Sequence, residues 1–370
     1  MHVRSGLRES NVILGAETVI LSLIKGLSKE KFNPIVVCFS GTHTNDIPLL
    51  QALQRENILT DVVYLRNRYD ISAIFKLRKL IKKYNVDILH CHEYKSDIIG
   101  FFASVFIQVK RVTTVHGWTK ANLKVSFYEW LDSIVVRFYD KIVTVSEDIR
   151  RQLIAKKIPE TEISVIHNSI DIDMFSSPNK TNLRQEFNIP KEFKIVGTVG
   201  RLSKEKGQNY FLKAAAEIIK EYSDVKFIIV GDGSLMSKLK GFARQLGIDN
   251  NVIFTGYRKN ISSIMSEIDL FVLSSLREGL PMVILEAMVQ SKPIVSFKIG
   301  GVPEAIVDGQ TGILVQPKDY KTLAQRVIKL LKDPDEAKRI GEAALEQVIN
   351  KFSVKQMVQK YEKNYKELSK

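Results

Sequence analysis

The stretch Arg277-Glu278-Gly279-Leu280-Pro281-Met282-Val283-Ile284-Leu285-Glu286-Ala287 decides how this chain is read. It follows residues 270–273, Leu-Phe-Val-Leu, a short apolar run that reads as a buried parallel strand. Gly279-Leu280-Pro281 is a turn, and Pro281 suits the first position of a helix, where no amide hydrogen is needed. Glu278 therefore falls in a strand-to-helix loop, and Glu286 about one and a half turns into the helix. Seven residues lie between the two carboxylates. A helix N-terminus presents amides that seat anions and hydroxyls. Two carboxylates beside such amides suit a sugar or a ribose better than a metal.

Outward from this stretch, short apolar runs alternate with amphipathic segments in both directions. In the first half, strands are expected at 34–39, 62–65, 87–92, 112–116, 141–145 and 163–167, with helices such as 16–28, 71–84 and 123–138 between them. In the second half, the expected strands are 194–199, 226–230, 252–255, 270–273, 293–297 and 312–315. Strand and helix in strict alternation mean parallel sheets with crossover helices, so the fold class is α/β, met twice. The polar stretch 171–193 separates the two series. The expected division is an N-terminal domain 1–175, a linker 176–193, a C-terminal domain 194–352 and a last helix 353–370. That helix carries Val354, Met357, Val358, Tyr361 and Tyr365 at helical spacing, a stripe that must dock on something. In doubly wound sheets, ligands bind beyond the carboxyl ends of the strands. His116-Gly117, Gly200-Arg201, Gly231-Asp232-Gly233 and Glu278 all stand at such places.

Composition narrows the class. At 370 residues the chain exceeds one ordinary core, and 45% apolar with 26% charged residues is globular. No apolar run reaches the ~18 residues of a membrane span, and the N-terminus lacks a signal-peptide core. Two cysteines, Cys38 and Cys91, are too few for a disulfide framework and fit a reducing compartment, so a cytoplasmic address is expected. The net charge of +14 implies attraction to something anionic. Both halves share the excess, and no Arg-rich stripe interleaves with aromatics, so no nucleic-acid partner is expected.

Several motifs, in this order, resemble the family-4 (group 1) retaining glycosyltransferases of GT-B fold over nearly the whole length. Leu14-Gly15-Ala16-Glu17 is similar to that family's Gly-Gly-Ala-Glu loop, with Leu14 in place of one glycine. Val115-His116-Gly117 resembles its N-domain histidine loop, and the segment from Val165 to Asp171 its Asn-Gly-Val-Asp region before the hinge. Gly197-Thr198-Val199-Gly200-Arg201 with Lys206-Gly207 resembles its phosphate loop. The paired glutamates are its hallmark, followed by Gly300-Gly301-Val302-Pro303-Glu304 and Thr311-Gly312. One departure stands out. Family members open with a full apolar strand, and here only Met1-His2-Val3 is available for it.

The resemblance implies two Rossmann-like domains facing a central cleft, with the C-terminal helix crossing back to the first. It implies transfer of a hexose-type sugar, configuration retained, from a nucleotide-diphosphate sugar, UDP-sugar first, to a glycan or lipid-linked acceptor in cell-surface polysaccharide biosynthesis. Glu286 would hold the ribose, and Glu278 with the amides near Gly279 and Leu280 the sugar hydroxyls. Arg201 and Lys206 would clamp the diphosphate, and His116 would face the transferred sugar. Gly15, Gly200, Gly231, Tyr257 and Pro281 complete the implied donor-binding set. The physical reading agrees: an Arg fork and a mobile Lys charge stabilise a departing diphosphate without a metal, and no cofactor is called for.

Other features admit plainer readings. Glu278 and Glu286 could be cap and surface acids, Arg201 and Lys206 a solvated pair, and His116 a structural histidine. His90 and His92 share a strand face beside Glu93, and crevice lining is the better account than a two-histidine metal site. Asp171-Ile172-Asp173 and Asp333-Pro334-Asp335 read as turn or cap residues. A non-catalytic sugar-nucleotide-binding partner and a sugar-nucleotide epimerase of the same fold are the rival functions. Lys76, Arg78, Lys79, Lys82 and Lys83 before Tyr84, and Phe127, Tyr128, Trp130, Phe138 and Tyr139 beyond, could be an ordinary basic face and core stripe. The sharper reading is peripheral contact with anionic membrane.

Overall fold

The computed structural model describes residues 1–5, 15–41, 47–67, 69–117, 123–176 and 182–369, without the side chains of 5 and 123–127. The chain forms two compact units, Met1–Asn168 with Val354–Lys370, and Ser169–Ser353.

The first unit is built on seven parallel strands, β1 His2–Ser5, β2 Ile35–Ser40, β3 Leu59–Tyr64, β4 Ile88–Cys91, β5 Lys110–Val115, β6 Lys141–Thr144 and β7 Ile163–Val165. Their order is β3-β2-β1-β4-β5-β6-β7. All six residues of β2 are buried, as a strand covered by helices on both faces requires. The scanty first strand is real and central: β1 pairs with β2 on one side and β4 on the other. From β1 the chain winds outward to β3, then returns through β4 and proceeds the other way. Right-handed crossovers then place the helices before and after the return on opposite faces. Helices Gly15–Gly26 and Pro48–Arg55 pack together on one face, and Ser72–Lys83, Tyr94–Ser104 and Leu123–Val135 lie side by side on the other.

The second unit repeats the plan with six parallel strands, β8 Lys194–Val199, β9 Val225–Val230, β10 Val252–Gly256, β11 Leu270–Leu273, β12 Ile294–Phe297 and β13 Ile313–Val315. Their order is β10-β9-β8-β11-β12-β13, so the reversal falls between β8 and β11.

Two sequence readings need correction here. The division falls after Asn168 instead of near 175, and the described part of the expected linker 176–193 is bound to the second unit. Phe175 is buried, and its carbonyl accepts from Ser262 Oγ and Gln290 Nε2. The Leu183 and Arg184 amides both donate to the Glu267 carboxylate, and Arg184 pairs with Asp269. The two Asp-x-Asp motifs are caps: Asp171 accepts from the Met174 amide and Asp333 from the Glu336 amide.

The last helix, Val354–Leu368, belongs to the first unit, where it packs against Gly15–Gly26. Met357, Val358, Tyr361 and Tyr365 are buried, as the stripe demanded. The tyrosine hydroxyls bond inward: Tyr365 to His90 Nδ1 at 2.6 Å and Tyr361 to Thr114 Oγ1 at 3.0 Å. Glu362 Oε1 accepts from the Ser28 amide at 2.9 Å. Removing one hydroxyl leaves a buried imidazole nitrogen without its partner. Tyr365→Phe should therefore destabilise the protein by about 1–3 kcal/mol in urea unfolding followed at the first unit. A loss below about 0.5 kcal/mol would show that the hydroxyl is not an anchor.

Candidate functional site

In the second unit, the loops after β8 and β11 leave neighbouring parallel strands at the same edge, because the winding reverses between them. This adjacency lets side chains about 70 residues apart in sequence meet. Lys206 Nζ lies 2.6 Å from Glu278 Oε1, a charge-assisted bond with the carboxylate largely enclosed. The backbones are tied as well, since the Leu276 amide donates to the Glu205 carbonyl at 2.7 Å. Gln208 Nε2 donates to the Arg201 carbonyl at 2.8 Å and braces the first loop. Arg201 itself is exposed at its crest.

The Glu278 loop is fixed from its other side by Gly300-Gly301. The Gly301 amide donates to the Gly279 carbonyl at 2.7 Å. At Gly300, φ is 48°, and a Cβ would sit 1.9 Å from the Glu278 carbonyl oxygen. Only glycine tolerates both the dihedral and the approach. Gly231 plays the same part for the other loop. There a Cβ would stand 2.1 Å from the Gly200 carbonyl oxygen, and the Gly200 amide donates to Val230. Gly231 thus lets the two loops lie backbone against backbone.

The helix Met282–Val289 begins one residue later than expected, with Pro281 as its N-cap and no side chain capping it. Its first-turn amides and the positive end of its dipole face the loop. Leu280 and Pro281 are buried and anchor the turn. Glu286 lies just over one turn in, and no described residue is bonded to its carboxylate. Enclosure in the unit raises its pKa from 4.5 to about 7. The sequence shows a glutamate here but not this displacement, which depends on what surrounds it. Tyr257 follows the edge strand β10, three strands from β11, and its ring is half exposed.

In the first unit, His116 follows β5, with Nε2 buried and unbonded among the described residues. Burial first, and the Arg4 guanidinium second, pull its pKa down to about 3, so the ring is neutral. Gly15 opens the helix Gly15–Gly26 and is exposed, while Leu14 lies outside the described residues. Arg4 was not singled out from the sequence. It is buried on β1, donates to the His92 carbonyl at 2.9 Å and pairs with Glu93 at 2.5 Å. Nothing in a four-residue strand signals that role.

Of the two histidines expected to line a crevice, His90 borders a cavity together with His2 and Tyr365, and His92 does not. Both are buried and stacked at 4.1 Å, and His2 Nδ1 lies 3.0 Å from His92 Nε2. One nitrogen from each of the three rings falls within 4.8 Å of the others, the spacing of a metal cluster. Yet both His90 nitrogens are engaged, by Tyr365 and Thr114, and Arg4 brings positive charge alongside. Burial holds all three pKa values well below the ordinary range, and the cluster reads as a neutral hydrogen-bonded core.

The second half matches a model described as glycosyl transferases group 1 over residues 179–347, and the first half one for glycosyltransferase family 4 over 13–174. An N-acetyl-alpha-D-glucosaminyl L-malate synthase of Bacillus anthracis is 30% identical over 304 residues, 80% of this chain and 79% of that protein. A UDP-Gal:alpha-D-GlcNAc-diphosphoundecaprenol alpha-1,3-galactosyltransferase of Escherichia coli is 28% identical over 367 residues, 96% and 94% of the two chains. Among solved structures, Anabaena HepE in complex with UDP superposes with a TM-score of 0.82 at 23% identity, covering 99% of this chain and 100% of that one.

Glu286 gives a test that needs no ligand. Its folded pKa lies above its unfolded one, so folding takes up a proton between them. The stabilisation this gives is complete below pH 4.5 and lost as pH rises through about 7. Glu286→Gln should raise stability at pH 8 by on the order of 2 kcal/mol, with the gain shrinking toward pH 5. Calorimetric melting at both pH values would show it; an equal gain at both would mean that charge is not the cause.

Proposed function

Because the chain belongs to the family-4 (group 1) glycosyltransferases and has their GT-B fold, we propose that it moves a hexose-type sugar, with retention, from a nucleotide-diphosphate sugar. A UDP-sugar is the first candidate, and the acceptor is a glycan or lipid-linked sugar of cell-surface polysaccharide biosynthesis. The Escherichia coli relative supports both choices, since its name gives UDP-Gal and a diphosphoundecaprenol acceptor. Transfer then takes place in the cytoplasm at the membrane face, where such an acceptor would be met.

The observation that carries this reading is the Lys206–Glu278 pair at the β8/β11 reversal. It sets a cation and a sugar-binding carboxylate side by side. As the bond to the anomeric carbon breaks, the electron pair leaves with the diphosphate and the sugar becomes oxocarbenium-like. Lys206 and Arg201 stabilise the charge growing on phosphate, and Glu278 holds sugar hydroxyls together with the amides of its loop. These cations do the work a divalent metal does in other transferases. Glu286 accepts from the ribose hydroxyls. Neutral His116 bonds a sugar hydroxyl instead of acting as an acid. The acceptor hydroxyl attacks the face the diphosphate has left, and its proton passes to the leaving phosphate oxygen.

Incubation with a donor panel and crude lipid or polysaccharide acceptors tests the reading. Sugar transfer with free nucleoside diphosphate is expected; epimerised donor, or binding without turnover, would replace it with a rival. Arg201→Ala and Lys206→Ala should each lower turnover by ~100-fold or more, the usual cost of losing one charge-stabilising donor. Near-normal rates in both would put the diphosphate elsewhere. Activity should also survive excess EDTA; loss that Mn or Mg restores would overturn the metal-free clamp.

A further inference from the structure

The first unit carries large aromatic side chains that stand exposed. Phe102 is 46% exposed, Trp130 and Phe138 57% each, and Phe106 98%. Phe102 and Phe138 are grouped, since the Phe101 ring lies 5.2 Å from both and joins the end of helix Tyr94–Ser104 to the turn at 136–138. Phe106 stands two residues past that helix, with φ at 62°. A bulky residue in the left-handed region is a backbone outlier, and this one holds its ring wholly in solvent. The sequence reading had merged two populations here. Tyr139 is buried and bonds the Asp97 carbonyl, Tyr128 stacks on Tyr94, and Phe127 lies outside the described side chains, whereas Trp130 and Phe138 point outward.

Packed beside helix Tyr94–Ser104 is helix Ser72–Lys83, which contains no acidic residue. Lys79 and Lys82 on it are exposed and have no ion pair among the described residues. Scattered exposed aromatics need no explanation, but a connected group flanked by unpaired cations marks a contact surface. We propose that this face docks on an anionic phospholipid bilayer, with the aromatic rings at the headgroup–acyl boundary and the lysines on lipid phosphates. Charge complementarity selects the bilayer over a second copy of the chain: a two-fold self-contact would set the basic helix against its own copy. Tyrosine and tryptophan at membrane interfaces follow the same logic, an apolar ring with its edge in the wet headgroup layer. This inference rests on the lipid-linked acceptor proposed above.

Flotation of the full chain with phosphatidylcholine vesicles, with and without phosphatidylglycerol, tests it. No donor or acceptor is present, so the result is independent of whether transfer occurs. Binding is expected only with phosphatidylglycerol and should weaken in high salt. The pair Phe102→Ser and Phe106→Ser should lower the partition constant ~10-fold or more, as should Lys79→Glu with Lys82→Glu. Transfer to a water-soluble acceptor analogue and the melting temperature should be unchanged in both. Absence of flotation, equal flotation by wild type and variants, or a dimer in ultracentrifugation that Phe106→Ser dissociates would each overturn the proposal. Normal flotation with no transfer to any acceptor would instead sink the functional reading.

Discussion

Strands β8 and β11 lie parallel and adjacent while the chain leaves them in opposite directions, and the candidate site follows from that constraint. Two loops that start on neighbouring strands and turn apart leave an opening at the sheet edge. No side chain has to be inserted from afar to fill it. The protein spends this space on one ion pair and one isolated carboxylate. Lys206 and Glu278 are held together, while Glu286 is left alone against its own desolvation. An unpaired acid in such a place is poor for stability. Its retention makes sense when hydroxyl donors arrive with a ligand and favour the charged form.

The loops around that opening are held by backbone contacts more than by side chains. Gly300 lets one chain segment lie against Glu278, and Gly231 lets another lie against Gly200. Each contact fixes a loop through atoms that have no rotamers. A site assembled this way is positioned before a ligand arrives, which is the condition for electrostatic stabilisation of a transition state. Around His116 in the first unit the described contacts are of another kind. There the ordering comes from packed rings and from Arg4, which gathers His92 and Glu93 at the corresponding reversal between β1 and β4.

Much of this was legible in the sequence because periodicity is local. The alternation of apolar runs with amphipathic segments gave both parallel sheets, and the Glu278-to-Glu286 stretch showed its loop and helix within one residue of their true boundary. The misreadings share a cause. His90 and His92 were rightly placed on one strand face, but whether that face met solvent depended on a helix some 275 positions away. Residues 182–193 look like a linker by composition, and partners far along the chain, Glu267 and Asp269 with Arg258, make them part of a domain. Glu286 was legible as a residue and illegible as an acid near pH 7, because enclosure is a property of the assembled fold.

The last helix has a consequence for the order of events during synthesis. The first unit emerges first, yet the piece that covers Gly15–Gly26 and bonds His90 is made of residues 354–370. Everything in the second unit lies between, so that unit is in effect an insertion within the first. Domains generally fold as the chain emerges, the N-terminal one ahead. Here the N-terminal sheet must wait with one apolar face bare while an entire second unit is made and folds. Its closing contacts span nearly the full chain, and loop closure over that length is favoured once the intervening segment has become compact. The second unit thus acts, for a time, as the scaffold that brings the two ends of the first together.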